Sequence, residues 1–384
     1  MYPLEGIKVL DLSRVLAGPS STQTLADLGA EVWKIEAPGA GDDTRGWMPP
    51  QIGGESTYFM AANRSKKSVT VDLKSPEGLA SILALAAQAD VLVENFRLGA
   101  LDRMGLGYEA IHKVNPRIIY TSISGYGRTG PRAAEPGYDF VIQAESGLMS
   151  ITGEPDGSPM KLGVAITDLV AGMNAVQGIL AALIARERTG RGQHIDISLF
   201  DCAVAALANV ATGHLQTGGG FQRFGNAHPT VVPYQTFDTA DGSLCLAVGN
   251  DGQFRKLCTM VIDRPDMAED ERFIRNRDRV LNRRDLIPPL AAIFTTKPTA
   301  EWIARLKTAG VPCGEVRSVE QVFDAPEIAA RNVVLEIPDA KHGTLRLVAS
   351  PLRLSDTPPR TPVAPPRLGE HTEEVLSRYA KVPG

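Results

Sequence analysis

Asp168 stands where a carboxylate can do chemistry. It follows the apolar run Leu162–Ile166 (LGVAI) and opens a long apolar stretch from Leu169 to Ile184. At such a helix start an aspartate acts as an N-cap, accepting backbone N–H bonds in the favourable field of the helix dipole. A carboxylate held there can also attack an acyl carbonyl and carry the acyl group covalently. The two roles agree, because capping keeps the group ionised at neutral pH and a carboxylate nucleophile has to be ionised. Gly218, Gly219 and Gly220 form a second run of interest. Three glycines make either a flexible linker or a mobile loop whose bare backbone covers a reacting carbonyl and keeps water from a labile acyl-enzyme.

Other spacings exclude chemistry. A G-x-G-x-x-G occurs at Gly125, Gly127 and Gly130, but Pro131 follows at once and Pro136 soon after. The helix start that would receive a pyrophosphate is missing, so the segment reads as a loop. The first strand-to-helix junction, SRVLAGPSS from Ser13, lacks the glycine triplet of a dinucleotide site, although Glu36 resembles a ribose-binding acid. Neither G-x-x-x-x-G-K-[ST] nor G-x-S-x-G is present, and the six histidines show no zinc-binding spacing. A mechanism without metal or ATP is expected. Cys202, Cys245, Cys258 and Cys313 lack C-x-x-C spacing and read as reduced, buried small hydrophobes.

The elements that must carry these residues alternate. Ile7–Leu12, Glu31–Glu36, Val91–Glu94 and Ile118–Ile123 read as strands; Pro19–Leu28, Pro76–Ala89 and Tyr108–Val114 read as helices. This is an α/β pattern, an open and mostly parallel sheet flanked by helices, in which ligands collect at the carboxyl ends of strands. The loops to watch are Ser13–Gly18, Ala37–Trp47, Asn95–Leu106 and Ser124–Tyr138. Leu169–Ile184 is expected as a buried helix, shorter than the ~20 residues of a membrane crossing.

With 384 residues the chain is expected to form a large domain, 1–200, completed by 330–384, and a small domain, 225–320. Residues 201–224 form a linker carrying the glycine loop; 321–384 form a return linker and a strap, proline-dense from Pro351 to Pro366 and ending in a helix capped near Thr372. Tyr234–Val248 reads as a hairpin turning at Asp241-Gly242. The composition, 43% hydrophobic and 22% charged with net charge −4, is that of a soluble globular protein. Scattered basic residues argue against nucleic acid, and the first residues, without a basic and apolar leader, argue for a cytoplasmic protein that binds no membrane.

Ordered segments run along nearly the whole chain: LEGIKVLDLSRVLAGP from Leu4, GAEVWKIEAPGAGDDTR from Gly29, NRSKKSVTVDLK from Asn63, DVLVENFRLGALDRMGL from Asp90, SGLMSITG from Ser146, ERTGRGQHIDISLFD from Glu187 and LGEHTEEVL from Leu368. Together they resemble the class III CoA-transferases, the group containing formyl-CoA transferase and carnitine CoA-transferase. The resemblance implies a homodimer of two interlocked rings, each chain having a Rossmann-like large domain and a small α+β domain. It implies Asp168 as the nucleophile, and CoA held at Val15, Val71, Lys74, Asn95, Phe96, Arg103 and Met104. Arg14, Leu16, Tyr138 and Asp139 would border the acyl group, and Gly218, Gly219 and Gly220 would form the lid and oxyanion donors. No permanently bound cofactor is implied; CoA thioesters are substrates.

Two departures bear on function. Ala37 replaces an arginine that contacts the nucleotide end of CoA in some relatives, with Arg45 and Lys34 the nearest cations. Gly137-Tyr138-Asp139 stands where the racemase branch has Gly-His-Asp, and a tyrosine with a pKa of ~10 is a poor base at neutral pH. Transfer is therefore favoured over racemisation. GDDTRGWMPP from Gly41, GESTYF from Gly54, GYGRTGP from Gly125 and GNAHPTVVPYQTF from Gly225 are similar to relatives pairing succinyl-CoA with glutarate, hydroxymethylglutarate or malate. Arg14, Arg45 and Arg223 are three unranked partners for a second substrate carboxylate. An acyl-CoA racemase or epimerase, and a non-catalytic CoA-ester-binding protein, are the alternatives.

Overall fold

β-Branched and aromatic residues at the start of the chain build a parallel sheet, described in a computed structural model covering residues 1–380. The end of the expected strap, 381–384, lies outside the described residues. In chain order the elements that frame the site are β1 Lys8–Asp11, α1 Ala17–Asp27, β2 Glu31–Glu36, β3 Lys67–Thr70, α2 Pro76–Gln88, β4 Val91–Glu94, α3 Tyr108–Val114, β5 Ile119–Ser124, α4 Asp139–Glu145, α5 Ile166–Thr189, β6 His194–Ser198, α6 Leu199–Ala206 and α7 Ala208–Thr217.

The six strands lie in the order β3-β2-β1-β4-β5-β6, every pairing parallel. Alternate residues serve opposite faces. Val9, Val32, Val91, Val93 and Ile119 pack with α1 and α5 on one side. Leu10, Trp33, Leu92 and Tyr120 pack with α2, α3 and the C-terminal helix Thr372–Tyr379 on the other. A parallel sheet covered on both faces needs such near-continuous apolar strands. Deleting one of these fully buried side chains, as in Leu10→Ala, costs ~2–5 kcal/mol.

The helix α5 runs 24 residues and starts three residues before the expected stretch. Small residues let it lie against α1: a Cβ at Gly172 would stand 2.5 Å from Ser20 Oγ and 2.9 Å from the Ala17 carbonyl oxygen. Gly190 ends it in the left-handed conformation, φ +72°. Burial is one-sided, contrary to expectation, since Met173 and Ile184 are each 60% exposed.

Ser150–Met160 and Gly220–Pro326 form a second compact unit. Ser150–Met160 falls within the bounds expected for the large domain but belongs to the second unit, where Gly225 N–H donates to the Gly153 carbonyl and Arg223 to those of Glu154 and Gly157. Tyr234–Asp238 and Ser243–Ala247 form the expected hairpin, joined by Cys313–Glu315, over a core including Phe237, Phe254, Phe294 and Trp302. The cysteines are less uniform than expected: Cys202 and Cys258 are buried, Cys313 is intermediate and Cys245 is exposed. Thr372 is the first residue of its helix and not its cap; its hydroxyl accepts the Thr70 N–H.

Candidate active site

Strand order reverses between β1 and β4, and in a doubly wound sheet that switch point opens a crevice beyond the strand ends. A cleft of about 390 Å³ lies there, within the ~300–1,000 Å³ of small-molecule sites. Arg14–Ala17 after β1, Asn95–Leu98 with Ala100 and Arg103 after β4, Ile123–Gly125 at the end of β5 and Ala133–Tyr138 beyond it, Asp43, Leu199 and Asp168 form its walls.

Asp168 is the third residue of α5, and it is not the N-cap. Ala165 occupies that position without a side-chain cap, and the open Thr167 N–H is met from another element. Asp139, in the first turn of α4, accepts from Thr167 N–H at 2.8 Å and Thr167 Oγ1 at 2.8 Å through Oδ1, and from Gln143 Nε2 at 2.8 Å through Oδ2. Asp168 has no side-chain hydrogen bond among the described residues. Burial, and then the neighbouring Asp139 charge, raise its pKa to about 7. The expectation of a carboxylate held fully ionised by capping is therefore corrected: the cap is Asp139, and its charge works against ionisation of Asp168.

The β1–α1 turn is held from beneath. Val15 adopts φ +71°, a conformation strongly disfavoured for a β-branched residue. Its N–H donates to both oxygens of Asp42 at 3.3 Å. Asp42 pairs with Lys34 at 2.8 Å, both side chains fully buried, and Lys34 also donates to the Ser13 carbonyl. Burial opposes the Lys34 charge, but Asp11, Asp42 and Glu36 outweigh it and hold its pKa above the usual lysine value. Deeper still, Asp11 accepts from Ser13, Thr22 and Lys66, and burial brings Lys66 down to about 8. From the side, Asn95 clamps Arg14, accepting its N–H at 2.9 Å and donating to its carbonyl at 2.8 Å, while Glu94 accepts the Phe96 N–H at 2.7 Å.

Arg14, Val15, Leu16, Asn95, Phe96, Arg103, Tyr138 and Asp168 thus meet at one cleft. Val71 and Met104 instead pack into the core on the α2 side, Lys74 is exposed before α2, and Asp139 is occupied as a cap. Gly218 ends α7 at φ +66°, Gly219 accepts from His214 and Gly220 opens the second unit. The two cations nearest Ala37 in sequence are committed elsewhere: Lys34 to Asp42, and Arg45 to Glu36 through two bonds of 2.7 Å. Glu36, tied also to Ser68, has no free oxygen for a ribose.

Sequence reasoning missed Asp42, whose Asx-turn onto Thr44 was a usable signal in GDDT. It also missed the purpose of Gly125. A Cβ there would stand 2.6 Å from the Gly137 Cα, so the pair of glycines lets two backbone segments of the cleft wall touch.

Residues 4–372 match the family model described as CoA-transferase family III. The chain is 45% identical over 381 residues to succinyl-CoA:glutarate CoA-transferase of Mus musculus, covering 99% of this chain and 87% of that protein. It is 46% identical over 392 residues to succinate–glutarate CoA-transferase of Agrobacterium fabrum, covering 99% and 96%. A crystal structure of a CaiB/BaiF family protein from Brucella suis superposes with a TM-score of 0.88 at 44% identity, covering 98% of this chain and 99% of that one.

Proposed function

This chain belongs to CoA-transferase family III, and on that footing we propose that it moves CoA from succinyl-CoA to a second dicarboxylic acid through an aspartyl-CoA thioester on Asp168. It is an enzyme of CoA transfer between acids. The observation that carries the finer reading is the carboxylate of Asp168, half-buried and unbonded in a cleft at the switch point of the sheet. A carboxylate stripped of hydrogen-bond donors is more basic and more nucleophilic than one in water.

The Asp168 carboxylate attacks the donor thioester carbonyl, giving a mixed anhydride and CoA thiolate. The thiolate attacks the aspartyl carbonyl, forming the aspartyl-CoA thioester and releasing succinate. The acceptor carboxylate then attacks that thioester, again freeing CoA thiolate, which takes the acceptor's acyl group from the new anhydride and returns Asp168 to its carboxylate. One thioester replaces another, so no ATP is consumed and no bound cofactor or metal takes part. Asn95, Phe96 and Arg103 lie where pantetheine and phosphates enter the cleft; Val71, Lys74 and Met104 stand outside its wall and would act at the nucleotide end or through packing. Gly218, Gly219 and Gly220 are the proposed lid; the Gly218 N–H donates to the His214 carbonyl and the Gly219 N–H to Thr217 Oγ1, so the loop has to give up these bonds before its N–H groups can meet an oxyanion, a contribution of roughly 3 kcal/mol per donor in other acyl-transfer enzymes.

We further propose that the chain works as an interlocked homodimer in the cytoplasm, with no nucleic-acid or membrane partner. The test of the chemistry is intact mass spectrometry of wild type and Asp168→Ala after succinyl-CoA, with and without hydroxylamine. A hydroxylamine-sensitive adduct on wild type alone is expected. If no acyl-CoA gives an adduct on wild type, the acyl-enzyme reading fails and simple thioester binding replaces it.

A further inference from the structure

We propose that Arg14 reads the second carboxylate of a dicarboxylic acyl group, and so sets the acid specificity of the cleft. This rests on the transfer reading above. Arg14, Arg45 and Arg223 are the sequence candidates for this role, and their bonding differs. Arg45 spends its guanidinium on Glu36 and the Pro366 carbonyl and is stacked on Phe59 at 3.7 Å. Arg223 is bonded to three carbonyls of the second unit. Arg14 lines the cleft with Asp168.

Arg14 is also prepared for a ligand. Asn95 fixes its backbone from both sides, the face of Phe96 lies 5.7 Å from its guanidinium carbon, and Asp43 accepts one bond from Nη1 at 3.1 Å. Its Nε and Nη2 have no partner among the described residues. That leaves one edge of the planar fork open, the edge that matches a carboxylate through two parallel bonds. The side chain is 50% exposed, so it stays hydrated until a ligand arrives.

Two other cations share the cleft, Arg97 and Arg103, on the segment after β4. Neither has a comparable clamp among the described residues. Arg14 lies on the turn that opens α1, and α1 packs directly on the first turns of α5, where Asp168 stands, through Ala17, Ser20 and Gly172. Its turn is therefore joined by helix packing to the element that carries Asp168. A short diacid attacked or attacking at one carboxyl keeps its other carboxylate a few bonds away, in the same cleft that this fork lines.

The test compares two acceptors of equal length, glutarate and monomethyl glutarate, with succinyl-CoA as donor, in wild type, Arg14→Gln and Arg14→Lys. In a double-displacement reaction kcat/KM for the acceptor reports the second half-reaction alone. The ratio between acids in one preparation does not depend on how much of it is folded. Wild type should prefer glutarate. Arg14→Gln should lower kcat/KM for glutarate roughly 30- to 100-fold and for the monoester no more than about 3-fold, with Arg14→Lys between. Equal losses on both acids would overturn the assignment while leaving the Asp168 adduct, and the transfer reading, intact. A wild type that uses both acids equally would overturn the dicarboxylate reading and this assignment together.

Discussion

A carboxylate whose pKa rests near 7 is about half ionised in neutral solution, and Asp168 reaches that value through burial first and Asp139 second. The nucleophile must be deprotonated, so kcat/KM for the acyl-CoA donor should rise with pH through about 7 and level off above it. Asp139→Asn keeps an oxygen for the Thr167 cap and removes the charge, and should move that acidic limb to lower pH. A limb that stays in place would mean that burial alone sets the titration. Stability carries the same signature. The folded value lies above the ordinary 3.8, so the folded chain binds the proton more tightly, and stability falls as pH rises from about 4 to 7. The full shift is worth up to about 4 kcal/mol, and solvent reaching the half-buried group reduces that to roughly 2 kcal/mol. Asp168→Asn, which cannot ionise, should therefore raise the melting temperature by several degrees at pH 8 and by much less at pH 5. Equal gains at both pH values would contradict the raised pKa.

The turn between β1 and α1 shows how an element is made to hold an unfavourable shape. A valine in the left-handed region costs ~1–3 kcal/mol and persists where its surroundings over-determine it. Here the Asp42 carboxylate takes its N–H, Lys34 holds Asp42, and the Ser13 carbonyl takes Lys34. Removing one partner of a buried pair strands the other charge. Asp42→Ala should therefore cost about 3–5 kcal/mol, and the double change Lys34→Met, Asp42→Leu should cost less than either single change. Urea unfolding followed by hydrogen exchange at β1 and β2 separates this unit from the second one; a double variant worse than both singles would refute the argument. Local sequence held much of this architecture, because strands and helices are written in period-2 and period-3.6 patterns, and β2, β4 and α3 match their expected bounds. It did not hold the choice of tertiary partners. Nothing within a few residues of Asp168 says that Asp139, 29 positions earlier, caps its helix, nor that Lys34 and Arg45 are spent inside the protein.

Across the whole molecule, the site residues that resemblance supplied sort by how they are carried. Those on the loops after β1, β4 and β5 converge, since a doubly wound sheet brings these ends together whatever the loop sequences are. Gly218, Gly219 and Gly220 belong to no such strand end, so neither pattern nor sheet geometry locates them. The large unit also leaves apolar side chains in solvent: Phe140 at 58%, Met173 and Ile184 at 60%, and Leu215 at 78%. Single exposed apolar residues need no explanation, but large ones standing on α4, α5 and α7 are the kind of surface that a stable homodimer buries. If two copies are threaded through each other as proposed, they can part only when one ring unfolds. Light scattering should then give twice the 41.1 kDa chain mass at every concentration down to nanomolar, unchanged by molar salt, until the melting transition. A mass that falls to that of one chain on dilution, with the fold intact, would exclude threading and leave an ordinary face-to-face dimer; one chain mass at all concentrations would exclude the dimer itself.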